Sequence, residues 1–121
     1  AVGGHRVGVV HGDPDSLAGW GFGAEMVPPL DARLREELGV SSDEFTPQDT
    51  INHWFAASQV TAFACTHTCL AYAQTVPGGG CIFNNGAAGM PNFEGSRFGL
   101  MTRVSADLEP PPDSVYGCVV G

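Results

Sequence analysis

Val60-Thr61-Ala62-Phe63-Ala64-Cys65-Thr66-His67-Thr68-Cys69 runs an apolar stretch straight into a polar turn that sets one histidine between two threonines. An apolar run of this length, closed by turn chemistry, reads as a buried strand over residues 60–64. The same arrangement occurs earlier, where the run Val7-Gly8-Val9-Val10 ends in His11-Gly12-Asp13. It occurs again where Cys81-Ile82-Phe83 ends in Asn84-Asn85-Gly86-Ala87-Ala88-Gly89-Met90-Pro91. Ligands in α/β folds gather beyond the carboxyl ends of such strands. Imidazole is the commonest metal-ligating side chain, so a histidine at each of two strand ends suits a hydrolytic metal centre.

Between and beyond these runs the pattern alternates. Leu30, Leu34 and Leu38 recur every fourth residue, with Asp31 near the start and Gly39 past the end, which predicts a short amphipathic helix. A second helix is predicted after Thr46, which can cap, with Pro47 at the first helical position, Asp49 in the first turn, and Ile51, Trp54 and Phe55 on one face. Residues 70–76 read as a further strand, ended by the Pro77-Gly78-Gly79-Gly80 turn. Residues 98–104 and 115–120 read as the last strands. Residues 109–112 read as a loop, because consecutive prolines cannot serve a sheet interior. The expected fold class is α+β with α/β-type layers, in one domain or part of one.

At 121 residues and 43% hydrophobic content the chain can bury a real core, so disorder is not expected. The formal charge of −8 arises from 13 acids against five arginines with no lysine, which speaks against a nucleic-acid or anionic membrane partner. A phosphorylated substrate would then need positive charge supplied locally, by arginine or by metal ions. No stretch approaches the roughly 20 apolar residues of a membrane span, and no secretory pattern opens the chain. A cytoplasmic location is the expectation. The first residue is Ala, and the first strand begins within a few residues of it, so a piece of a longer protein is expected. Cys65, Cys69, Cys81 and Cys118 allow three disulfide pairings, but without a secretory signal reduced thiols are expected.

The order of these motifs, His11-Gly12, then His67-Thr68-Cys69, then Asn84-Asn85-Gly86-Ala87-Ala88-Gly89-Met90-Pro91, resembles the carboxyl-terminal half of calcineurin-like metallophosphoesterases. Their later motifs are a lone His-Gly, Gly-His-Thr-His and Asn-Pro-Gly-Ser-x-Gly-x-Pro. The likeness extends from about Val7 to about Arg103. Four positions depart from it. Thr66 stands for Gly, Cys69 for the second His, Ala71 for a common Pro, and Asn85 for Pro.

The resemblance implies a metal-dependent phosphoester hydrolase built as two β-sheets sandwiched between helices. Residues 1–121 would form a single partial domain, the second sheet and its helices. The missing amino-terminal half would bring Asp-x-His, Gly-Asp-x-x-Asp and Gly-Asn-His motifs. Two divalent ions (manganese, iron or zinc) are the implied cofactors, and a phosphorylated small molecule or protein the implied substrate. His11 and His67 would ligate the second ion and Cys69 the first, the thiolate favouring zinc or iron over magnesium. A one-register slip would place Cys65 and His67 on the two histidine positions instead. Cys69 also reads as a small cysteine with no metal. Asp13 reads as a ligand, as a residue orienting a ligand, or as turn chemistry before Pro14. Arg97 reads as a phosphate contact through its forked guanidinium, or as a surface arginine. Two other functions fit the residues: a non-catalytic module of the same fold that has lost ligands, and a small metal-independent binding domain that uses the aromatic loop around Trp20 and Phe22.

Overall fold

The computed structural model describes residues 1–27, 45–109, 112–114 and 117. The helix expected around Leu30, Leu34 and Leu38 lies outside them, as does the strand expected at 115–120 apart from Gly117. The described elements are β1 (Val7–Val9), α1 (Gln48–Ser58), β2 (Ala62–Cys65), β3 (Tyr72–Thr75) and β4 (Cys81–Asn84). They form a small mixed α/β domain with one four-stranded sheet in the order β1-β2-β4-β3. β1, β2 and β4 run parallel, and β3 pairs antiparallel with β4. Three carboxyl ends therefore meet at one edge, where the histidine turns begin.

Register sorts the strand residues onto two faces, since partners across a ladder share a face and neighbours along a strand alternate. Gly8, Phe63, Ile82 and Gln74 lie in one row, and Cys65, Asn84 and Tyr72 in the next. Helix α1 covers this face. Its Ile51 and Trp54 join Phe63, Cys65 and Ile82 in one core cluster, together with Phe22, Val27 and Val76. Phe22 packs edge-on against Trp54 at 5.0 Å and tilted against Phe63 at 5.1 Å, while Phe55 meets Phe63 edge-on at 4.9 Å. Burying each such ring contributes about 2–3 kcal/mol. Phe63 also explains Gly8, because a Cβ there would stand 2.7 Å from its ring.

The opposite face carries Val7, Ala62, Cys81 and Thr75 in one row and Val9, Ala64, Phe83 and Ala73 in the next. It is apolar but unevenly covered. Ala62 and Cys81 are buried, whereas Ala64, Ala73 and Phe83 are only half-buried and Val9 is 80% exposed.

Helix α1 presents the expected apolar face but begins differently. Pro47 is its N-cap and no side chain caps it. Thr46 is occupied elsewhere, because its hydroxyl donates to the Gly21 carbonyl at 2.7 Å and its N–H to Met26 at 2.8 Å. The helix closes on Gln59 in the left-handed region (φ 52°), with the Val60 N–H donating back to the Phe55 carbonyl.

Two expectations fail. Residues 98–104 form no strand: a long backbone bond, Leu100 N–H to the Ala87 carbonyl at 3.4 Å, ties them to the preceding turn, and Gly99 lies against the Ala88 carbonyl. The segment lies against the preceding turn instead of joining either outer strand of the sheet, β1 or β3, and strand propensity alone does not produce a ladder where tertiary contacts hold the chain elsewhere. The thiols are not all reduced either, for Cys65 and Cys69 are free but Cys81 is disulfide-bonded.

Candidate metal centre

Beyond Val9 the ladder continues for one more bond, from the Val10 N–H to the Ala64 carbonyl at 3.0 Å. The next carbonyl, that of His11, accepts from both Thr66 N–H at 3.1 Å and His67 N–H at 2.8 Å. One backbone acceptor thus pins the two strand-end turns together. Their side chains follow: His67 Nδ1 lies 3.0 Å from His11 Nε2, with ring centroids 4.9 Å apart and planes at 63°. In the neutral pair one nitrogen donates and the other accepts. To address one cation, the pair would give up that shared proton and turn both nitrogens towards the ion. His11 is exposed and His67 half-buried, so the pair opens to solvent.

The loop after His11 is fixed by its glycines and by Asp13. A Cβ on Gly12 would stand 2.5 Å from the Gly19 nitrogen, so only glycine lets the two backbones approach. One carboxylate oxygen of Asp13 accepts from the Asp15 and Ser16 N–H groups at 3.0 and 2.9 Å, and the other from Gly21 N–H at 3.0 Å. Asp13 therefore organises the loop as turn chemistry. Of the two aromatics there, Phe22 is sealed in the core, and its carbonyl accepts from the Tyr72 hydroxyl at 2.7 Å. Trp20 is 56% exposed and packs edge-on against His67, centroids 5.5 Å apart.

The third turn supports the second. Buried Asn84 donates from Nδ2 to Thr68 Oγ1 at 3.1 Å and accepts from Gly86 N–H at 2.8 Å, while Thr66 Oγ1 donates to the Gly86 carbonyl at 3.4 Å. Gly86 takes φ 66°, the left-handed region that favours glycine. Asn92, which the sequence reading passed over, clamps this turn by accepting from Ala87 N–H and donating to its carbonyl, both at 2.8 Å. The only sequence signal for it is the preference of Asn for turns.

Cys69 departs from the pair. It sits at φ 57°, closes a turn through its N–H to the Thr66 carbonyl at 2.9 Å, and directs its thiol to the His67 carbonyl at 3.6 Å. Among the described residues no three His, Cys, Asp or Glu side chains form a group able to hold an ion. Cys65, the ligand in the alternative register, is buried beneath the site with its thiol 3.5 Å from the Phe83 carbonyl. Burial raises its pKa to about 11, against a smaller lowering by hydrogen bonds to Asn84 and Tyr72. A buried, protonated thiol is a poor ligand. Burial, and next the Cys65 thiolate, push Tyr72 above the usual phenol range. Arg97 is exposed and makes no ion pair among the described residues.

An open pocket lies at the opposite edge of the sheet, between Phe55, Val60, Val76 and the Gly78–Gly80 turn, away from the histidines. No family model, curated protein or solved structure matches the chain.

Proposed function

We propose that this chain is the later part of a calcineurin-like metallophosphoesterase, a metal-dependent phosphoester hydrolase in which His11 and His67 hold one divalent ion. The observation that carries this reading is the 3.0 Å approach of His67 Nδ1 to His11 Nε2 at the ends of adjacent parallel strands. Two nitrogens bound at about 2.0–2.1 Å to a common ion stand roughly 3 Å apart when they occupy neighbouring coordination positions. The spacing of the pair therefore matches a two-ligand face once the rings turn their nitrogens towards an ion, and imidazole suits manganese, iron or zinc.

When bound, divalent ions polarise a phosphoryl oxygen and make water nucleophilic at neutral pH. The chain's own contribution is narrower. His11 and His67 would act as ligands, the His11 carbonyl and the Asn84–Thr68 bond hold their turns in place, and the exposed Arg97 would offer its guanidinium to a phosphate oxygen. Two imidazoles do not define two sites, so in this reading the remaining ligands come from a preceding half of the domain. The sheet supports that arrangement: its second face, with Val9 80% exposed and Ala64, Ala73 and Phe83 half-buried, has the composition of a surface covered by another sheet.

A second reading, the non-catalytic module of the same fold, is favoured by one observation: the Cys69 thiol faces the His67 carbonyl. The metal-independent binding domain keeps Trp20 but loses Phe22 to the core. Among the described residues no helix is long and apolar enough to cross a membrane. The disulfide at Cys81 weighs against the cytoplasmic expectation, because such bonds persist in oxidising compartments.

The test is hydrolysis of 4-nitrophenyl phosphate and its bis-ester by the full-length protein with manganese, together with its metal content. Turnover abolished by His67→Ala, with about two equivalents of metal bound, is expected. A metal-free protein whose activity ignores His67→Ala contradicts the proposal.

A further inference from the structure

The phosphoester end of a substrate would meet His11 and His67; what the rest of it meets is set by the loops around them. Each of the three turns at this edge exposes a large apolar side chain. Leu17 (77% exposed) and Trp20 (56%) stand on the first, Leu70 (53%) on the second and Met90 (60%) on the third. Positive charge is scarce by comparison. There is no lysine in the sequence. Among the described arginines, Arg6 lies at the far edge bonded to Gln59, and Arg103 pairs with Asp107, which leaves Arg97. A ligand carrying several phosphates would find little here beyond a metal ion to neutralise it.

Trp20 is also held in place. On its carboxyl side the Gly21 N–H is bound to Asp13 at 3.0 Å, the Gly21 carbonyl accepts from Thr46, and Phe22 is anchored in the core. The Trp20 carbonyl accepts from Gly23 N–H at 2.8 Å, and Gly19 N–H before it donates to Ser16 at 3.0 Å. An exposed indole on a loop fixed at both flanks, 5.5 Å from His67, is a pre-formed stacking surface.

Resting on the metallophosphoesterase reading, we propose that Trp20 is a platform for a planar aromatic group on the leaving side of the ester, so that the site takes phosphoesters of aryl or nucleoside alcohols rather than of small aliphatic ones. An aromatic ring laid on the indole places its ester linkage beside His67. Either an aryl group or a nucleobase supplies the same π-face.

The test is calorimetric titration of the full-length protein with two ligand pairs in the presence of zinc: phenylphosphonate against methylphosphonate, and adenosine 5′-monophosphate against ribose 5-phosphate. In the unaltered full-length protein the aromatic member of at least one pair should bind about fivefold tighter or more, the low end of what one ring stack contributes. Trp20→Ala should bring each pair to near equality while Trp20→Phe keeps part of the preference, and zinc affinity measured alone should not change in either variant. Preference in the first pair only identifies an aryl group, and in the second only a nucleobase. No preference in the unaltered chain, or one that survives Trp20→Ala, overturns the platform. Loss of zinc binding is a separate result that bears on the histidine site, not on Trp20.

Discussion

The Nδ1 of His67 lies 3.0 Å from the Nε2 of His11 across a sequence separation of 56 residues, and the His11 carbonyl accepts the N–H groups of both Thr66 and His67. The rings meet because the backbones do. Side-chain substitutions at the pair should therefore leave the fold intact. His11→Ala or His67→Ala should change unfolding free energy by no more than about 0.5–1 kcal/mol, while lowering zinc affinity at least about tenfold. Chemical denaturation and calorimetry, run on the same samples, measure both.

Cys69 gives a gain-of-function prediction. An imidazole at this turn should add a ligand beside the pair, so Cys69→His should tighten zinc binding, whereas Cys69→Ala should leave it almost unchanged. Equal affinities for the two variants would mean that the turn holds position 69 away from the ion. In the unaltered chain, iodoacetamide under native conditions should label exposed Cys69 and spare buried Cys65.

Denatured but unreduced protein should titrate as fewer than four thiols per chain, Cys65 and Cys69 among them, because Cys81 is in a disulfide. Four thiols would contradict that bond.

Alkaline pH should destabilise the domain through Cys65. Burial lifts its thiol from the ordinary 9.0 of the unfolded chain to about 11. The folded state therefore binds the proton more tightly, and its contribution is intact below pH 9 and lost as pH rises towards 11. The loss approaches roughly 2–3 kcal/mol. Tyr72, displaced in the same direction, adds to the decline at higher pH. Urea denaturation at pH 8 and pH 10.5 should show the drop, and Cys65→Ala should reduce it.

Gly12→Ala should destabilise by about 1–3 kcal/mol, since its Cβ would stand 2.5 Å from the Gly19 nitrogen with backbone on both sides. The same change should displace Trp20. A variant as stable as the parent by thermal unfolding would show that the loop gives way easily.

Much of this was legible in the sequence. Histidines at two strand ends stood out because short apolar runs closed by Gly or Thr leave few alternatives for the backbone, and Ile51, Trp54 and Phe55 marked the buried face of α1. What was not legible depended on partners distant in sequence. The Thr46 hydroxyl suits a cap, but it bonds to Gly21, 25 residues away. Residues 98–104 have strand composition, yet they lie against the turn at Ala87 and Ala88 rather than beside β1 or β3. Phe22 and Trp20 are alike in sequence, and only the packing of α1 and β2 decides that one is core and the other surface. Asn92 carries two bonds to Ala87 that no periodicity announces.

The most direct test of the central claim is long-range proton–nitrogen NMR of the four imidazoles during a zinc titration. His11 Nε2 and His67 Nδ1 should shift together to the values of metal-bound nitrogen, while His5, bonded to Thr61, and exposed His53 stay where they are. Zinc that moves only one of the pair, or that moves His5 or His53 instead, would contradict a shared metal site.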